Sequence, residues 1–229
     1  MQRRGLFTTG AVAGFLALIG CGPKPEPEKP PVKPAPPKPV VKAPEPEPEP
    51  ELPPVDVPDK ARVRLETTMG NIVVELNGKA APITTANFLR YVEAGKLDGA
   101  TFWRAMTSHN GGFVQASTSG HRFPPIAHEP TSQTGLSHTN GTISMARYAV
   151  GTASHEFTLS VGDMTYMDAG RDPEGDNQGY AAFGKVVSGM SVVRRILSGK
   201  IAKSTKPGGW DGQMLEEPVT IISGRRIDG

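Results

Sequence analysis

Polar and apolar residues alternate from Arg62 to Thr67, Met69-Gly70-Asn71 interrupts the run, and the alternation resumes from Ile72 to Leu76. A period of two on both sides of a Gly-containing turn predicts a β-hairpin with one buried face. The pattern then changes to helical spacing over Ala81 to Val92, with Pro82 near its start and Gly95 beyond its end, which predicts one amphipathic helix. Further strand-like runs cover 100–106, 112–116, 142–146, 157–161, 181–186 and 219–222, and a second helix is predicted over 190–197. Many short strands and two isolated helices predict a mainly β fold, a closed antiparallel sheet with helices over its ends, rather than βαβ units.

One residue breaks the pattern. In GATFWRAMTSHNGGFVQAS, Arg104 stands alone in an apolar strand. Taken by itself it is either a solvated edge residue or a fixed donor aimed at a ligand.

Before residue 60 the chain is of another kind. MQRRGLFTTGAVAGFLALIGC opens on Arg3 and Arg4, continues with an apolar run too short for an ordinary transmembrane helix, and ends at Cys21. Leu18-Ile19-Gly20-Cys21 resembles the bacterial lipobox, which implies a signal peptide over 1–21 and acylation of Cys21. The mature protein would then be anchored to a membrane without spanning it, lipid-anchored in the bacterial cell envelope and facing the periplasm. Gly22, where a retention signal would usually have Asp, favours the outer membrane over the inner. The paired arginines fit either a general or a twin-arginine export signal. Cys21 is the single cysteine, so an intramolecular disulfide is excluded despite the oxidising compartment implied. Residues 22–59 mix Pro with Lys and then with Glu, which predicts a disordered, extended spacer reaching on the order of 110 Å if straight.

Residues 60–229 remain for one packed domain. The net charge of +2 offers no basic surface of the kind nucleic-acid binding needs. His109, His121, His128, His138 and His155 show no repeated ligand spacing and read as surface or turn residues, so no metal or other cofactor is expected. Asp168, Asp172, Glu174, Asp176 and Asn177 form an acidic loop whose spacing does not fit an EF-hand, and it reads as a solvated loop.

The order APITTANFLRYVEAG, FWR, GFVQ, GTISMAR, HEFTLSVGD and GYAAFGKVVSGMSVVRRI resembles the cyclophilin family of peptidyl-prolyl cis-trans isomerases over about residues 60–227. The resemblance implies an eight-stranded antiparallel β-barrel capped by two helices, acting on X-Pro bonds of extracytoplasmic polypeptides, as a monomer with Pro-containing clients. It also implies roles residue by residue. Arg104, in Phe102-Trp103-Arg104, falls at the catalytic arginine, and Gln115 of GFVQ at the glutamine that orients it. Phe102, Phe113, Phe157 and Met167 fall at or beside the proline slot, with Phe157 on its floor, and Tyr180 falls at its rim. Ala146 lines the groove and Arg147 grips substrate through its main chain.

The chain departs from the family at three places. Ser108 to Gly112 adds a loop between Arg104 and Gln115, Ala116-Ser117-Thr118 replaces Gly-Gly-Asp, and His155-Glu156 replaces Gln-Phe before Phe157. These departures leave a second reading, a catalytically weak or inactive module that binds Pro-containing peptides as a tethered chaperone or adaptor. A third makes the Pro-rich arm itself the functional part.

Overall fold

The computed structural model describes residues 52–118, 120, 122–203 and 210–227. Cys21, the signal peptide, most of the Pro-rich arm and His121 lie outside these residues. The chain divides into Met1–Pro48 and Glu49–Gly229, and the second unit is described here. The unit starts earlier than residue 60, because the last residues assigned to the spacer lie on it. Arg90 Nε donates to the Pro53 carbonyl (3.0 Å), and Arg226 pairs with Asp56 (3.2 Å).

Eight antiparallel strands close a barrel in the order β1-β2-β7-β5-β6-β4-β3-β8. They are β1 Lys60–Thr67, β2 Gly70–Asn77, β3 Thr101–Ser108, β4 Gly111–Ser117, β5 Thr142–Met145, β6 Glu156–Gly162, β7 Ala181–Ser188 and β8 Met214–Ile227. Closure removes the unpaired edges that would otherwise invite aggregation. The first hairpin has the predicted alternation, with Val63 opposite Val74 and Leu65 opposite Ile72, all four buried. Helices α1 Pro82–Glu93 and α3 Met190–Leu197 have the predicted positions, and a single turn, α2 Thr131–Thr134, is added between them.

Two elements differ from expectation. Most of the residues between Arg104 and Gln115 form no loop. They lengthen a hairpin, with Thr107 opposite Gly112 and Ser108 opposite Gly111, leaving only His109 and Asn110 for the turn. Gly111 is required there, because its φ is +152° and a Cβ would lie 1.9 Å from the Val161 carbonyl oxygen. The last strand runs from Met214, well before the predicted start at 219. Glu216-Glu217-Pro218 looks like a strand break in sequence. In the fold it occupies an irregularity where β8 shifts register on β3, a position that tolerates proline in a sheet.

The barrel interior is filled by Phe88 of α1 and by Phe102, Phe157 and Phe183 of the strands. Phe88 packs edge-on to Phe157 at 5.2 Å between ring centroids, and Phe102 packs edge-on to the same ring at 5.9 Å. Such aromatic pairs add to the burial energy of the rings themselves.

Helix α1 has no side-chain cap of its own, since Ala81 stands at the N-cap and Pro82 follows. Its first amides are satisfied by Glu129, only 1% exposed, whose carboxylate accepts from Ile83 N (3.1 Å), Thr84 N (2.7 Å) and Thr84 Oγ1 (2.6 Å). A carboxylate there also meets the positive end of the helix dipole. Glu129→Ala is therefore expected to lower unfolding stability by about 3 kcal/mol, the buried amide and hydroxyl of Thr84 and the part-buried amide of Ile83 losing a charged acceptor, as read from urea midpoints.

Candidate active site

The strand register divides the side chains of one wall of the barrel between two faces. Arg104 pairs with Gln115 on β4, Gln115 with Thr158 on β6, and Thr158 with Ser144 on β5. The adjacent row is Phe102, Ala116, Phe157 and Met145. Because side chains alternate along a strand, the second row fills the interior and the first lies on the outer wall. The register of β3 shifts between Phe102 and Arg104, so Trp103 and Arg104 both line the cavity on the outer wall. This bulge is the local reason for an arginine in an apolar strand: it re-aims one side chain out of the alternation.

The cavity has a volume of about 540 Å³ and is lined by Arg104, Phe113, Gln115, Ala146, Arg147, Met167 and Tyr180, seven of the nine groove residues inferred from sequence. Phe102 and Phe157 are not among its walls. Phe157 is 1% exposed and Phe102 fully buried, both in the barrel core. The expected slot floor is thus one residue out of step. Glu156 and Thr158 face the cavity, and Phe157 between them points inward. The apolar wall is instead a satellite cluster separate from the barrel interior, Phe113, Met164 and Met167 with Met106 and Tyr180 against them.

Arg104 is held on two sides. Its Nη1 donates to Gln115 Oε1 and its Nε to Gln213 Oε1, each at 2.8 Å. Its Cζ lies 4.1 Å from the Trp210 ring centroid and 5.0 Å from that of Phe113. Burial pulls its pKa below the ordinary arginine value, opposed by Tyr180, Tyr166, Glu156 and Tyr148. An arginine remains charged under such a shift. Gln115 in turn donates from Nε2 to Glu156 Oε2 (2.7 Å), which fixes which end of its amide faces Arg104. Burial raises the Glu156 pKa, against the hydrogen bond from Gln115 and the charges of Arg122 and Arg104.

Sequence reasoning missed Glu156, Trp210 and Gln213 as members of the site. Glu156 was visible only as a departure, and the other two come from a turn more than a hundred residues from Arg104. Ser154 Oγ and His155 Nδ1 also meet at 2.7 Å beside the cavity, but His155 Nε2 lies 3.7 Å from Glu156, too far for the hydrogen bond of a nucleophile-activating relay.

The acidic loop has structural partners. Asp176 accepts from Arg147 Nη2 (2.8 Å), and that guanidinium is the main reason its pKa falls to about 2. Arg147 Nε also bonds the Gly179 carbonyl (2.8 Å), so its side chain ties the loop to the groove. Asp168 accepts from His138 N (2.9 Å) and meets His138 Nδ1 at 2.6 Å. His138 is completely buried rather than a surface residue, and burial lowers its pKa below the ordinary value despite Asp168, so it is neutral at pH 7. Among the described residues no group of His, Cys, Asp and Glu could hold a metal ion.

Residues 62–223 match the family model for cyclophilin type peptidyl-prolyl cis-trans isomerases. A peptidyl-prolyl cis-trans isomerase of Acinetobacter baylyi is 34% identical over 165 residues, 70% of this chain and 82% of that protein. One of Streptomyces antibioticus is 36% identical over 170 residues, 71% of this chain and 96% of that one. Among solved structures, a cyclophilin type isomerase of Cryptosporidium parvum shares the fold at a TM-score of 0.58 and 18% identity, covering 74% of this chain and 99% of its own.

Two outcomes are expected. Phe157→Leu lowers stability by about 1–2 kcal/mol while peptide affinity stays within about twofold, because the ring is core; a large affinity loss at unchanged stability would restore it to the groove. Glu156 has a folded-state pKa above its unfolded one, so its contribution to stability is full below the unfolded value and is lost as pH rises through the folded value. Glu156→Gln should therefore gain stability relative to the unmodified protein as pH is raised from 4.5 to 8, read from paired urea titrations.

Proposed function

Because the chain belongs to the cyclophilin-type peptidyl-prolyl cis-trans isomerase family and is such an isomerase, we propose that it turns X-Pro bonds in extracytoplasmic polypeptides, with Arg104 as the catalytic residue. The observation that carries this reading is a guanidinium hydrogen-bonded by Gln115 and set beside the apolar wall of Phe113 and Met167.

Rotation about an X-Pro bond faces a barrier of about 18–20 kcal/mol because the amide is conjugated. Lowering it needs neither nucleophile nor metal. As the bond twists, the prolyl nitrogen leaves conjugation and becomes a hydrogen-bond acceptor. A donor aimed at that nitrogen then binds the twisted state better than the planar one. Phe113, Met106 and Met167 offer the proline ring an apolar seat, and Arg104 supplies donors next to it that are already fixed before the twist begins. Ala146, Arg147 and Tyr180 line the same cavity and would hold the flanking residues.

The envelope setting is supported by the lipobox-like Leu18-Ile19-Gly20-Cys21 and by the Pro-rich stretch that follows it. In this reading acylated Cys21 anchors the chain on the periplasmic side, more readily at the outer membrane given Gly22, and the spacer carries a monomeric domain out to Pro-containing clients.

Arg104→Ala is expected to reduce kcat/KM for a Pro-containing peptide by about a hundredfold in a protease-coupled isomerisation assay, the scale of losing one transition-state donor. Activity unchanged by the substitution would overturn the assignment. Activity absent from both proteins would favour the peptide-binding module. Cys21→Ser should abolish incorporation of labelled fatty acid and release the protein from membranes, which tests the anchor separately.

A further inference from the structure

We propose that Gln213, placed by the turn that also carries Trp210, is a positioning residue for the isomerisation, holding Arg104 from a side that Gln115 does not reach. This rests on the reading of Arg104 as the catalytic donor.

The guanidinium has five N–H groups in a rigid fork. Gln115 takes one on Nη1 and Gln213 takes the one on Nε, and no hydrogen bond among the described residues engages Nη2. A single acceptor at Nη1 would leave the group free to swing about that bond. An acceptor at Nε, on the other side of the carbon, removes the swing and leaves both Nη2 donors for a ligand in the cavity that Arg104 lines. Trp210 adds a flat surface at 4.1 Å, within the range of a cation–π contact, which restricts tilt out of the fork's own plane. Preorganised donors of this kind need no rearrangement when charge or a lone pair develops in the transition state.

The turn is built to put Gln213 there. Its amide donates to the Trp210 carbonyl (3.1 Å), closing the turn, and its own carbonyl accepts from Ala105 N (2.9 Å), the residue after Arg104. Met214, the next residue, pairs with Arg104 itself across the register shift of β3. The side chain that meets Nε is thus sewn to β3 by its own backbone on one flank and by strand pairing on the other. The bulge and the turn work together: the bulge turns Arg104 outward, and the turn meets it with an acceptor.

The test compares Gln213→Met, which keeps the length but removes the acceptor, with Gln213→Glu, which keeps an acceptor at the same place. In the full chain, Gln213→Met is expected to lose tenfold or more in kcat for an Ala-Pro-containing chromogenic peptide, with KM within twofold. Gln213→Glu is expected to stay within threefold of the unmodified protein. A purely structural role would not give this split or this rescue. The Arg104 Nε–H resonance, observed by nitrogen-15 NMR, should be protected from exchange in the unmodified protein and in Gln213→Glu, and lose that protection in Gln213→Met. That readout stands even where a variant is too unstable at the assay temperature to turn over. Gln213→Met with kcat within twofold of the unmodified protein, or Nε–H protection unaffected by it, would overturn the proposal. An unmodified protein as inactive as Arg104→Ala would instead remove the reading on which it rests.

Discussion

Closure of the barrel is the constraint from which the site follows. Once eight strands pair around a ring, each has one face committed to the interior, and any chemistry must be mounted on the outer face or at the ends. The phenylalanines of α1, β3, β6 and β7 fill the inside, so the wall formed by β3, β4 and β6 is rigid from behind. Arg104 and Gln115 stand on that wall at paired positions, and Phe113 stands two pairs further along, opposite Met106 and on the same face. Their spacing is therefore set by the sheet and not by mobile loops, which suits a reaction whose demand is a fixed donor beside an apolar seat.

The polar groups of the site form a connected line: Glu156, Gln115, Arg104 and Gln213, each hydrogen-bonded to the next. A charged guanidinium placed half out of water needs this company, since an unpaired buried charge is far more costly than a paired one. The same line explains how His155-Glu156 can replace a different pair of residues without dismantling the wall. Glu156 faces outward at the start of β6, where Gln115 donates a hydrogen bond to it and the charges of Arg122 and Arg104 act on it, while Phe157 keeps the interior filled.

Most of the fold was legible in the chain. Alternation located seven strands to within a few residues, and α1 and α3 were visible from spacing and from their flanking Pro and Gly. What escaped had physical reasons. Glu216-Glu217-Pro218 hides the first part of β8, because an irregular register shift accepts residues that a regular ladder would not. Phe157 was put in the groove by the resemblance of HEFTL to the family's motif, but a period of two turns a slip of one residue into the opposite face. Arg104, Gln115 and Phe113 were identifiable because FWR and GFVQ resemble the family's motifs, and the two runs pair on one hairpin. Gln213 and Trp210 had no such signal, since only the closing of β8 against β3 brings them to Arg104.

Glu129 links two events in the making of this fold. Helix α1 is short and starts without a local cap, so as an isolated segment it is poorly nucleated. The group that completes its first turn lies on the far side of β3 and β4 in sequence. The helix is finished only when that later stretch has returned over it, and Phe88 is then held at the barrel mouth. Secondary structure and barrel assembly thereby become one cooperative step, and the loop-closure entropy of that return weighs on the folding rate. During synthesis the helix would remain an open, non-committal segment until enough chain had emerged to bring its cap.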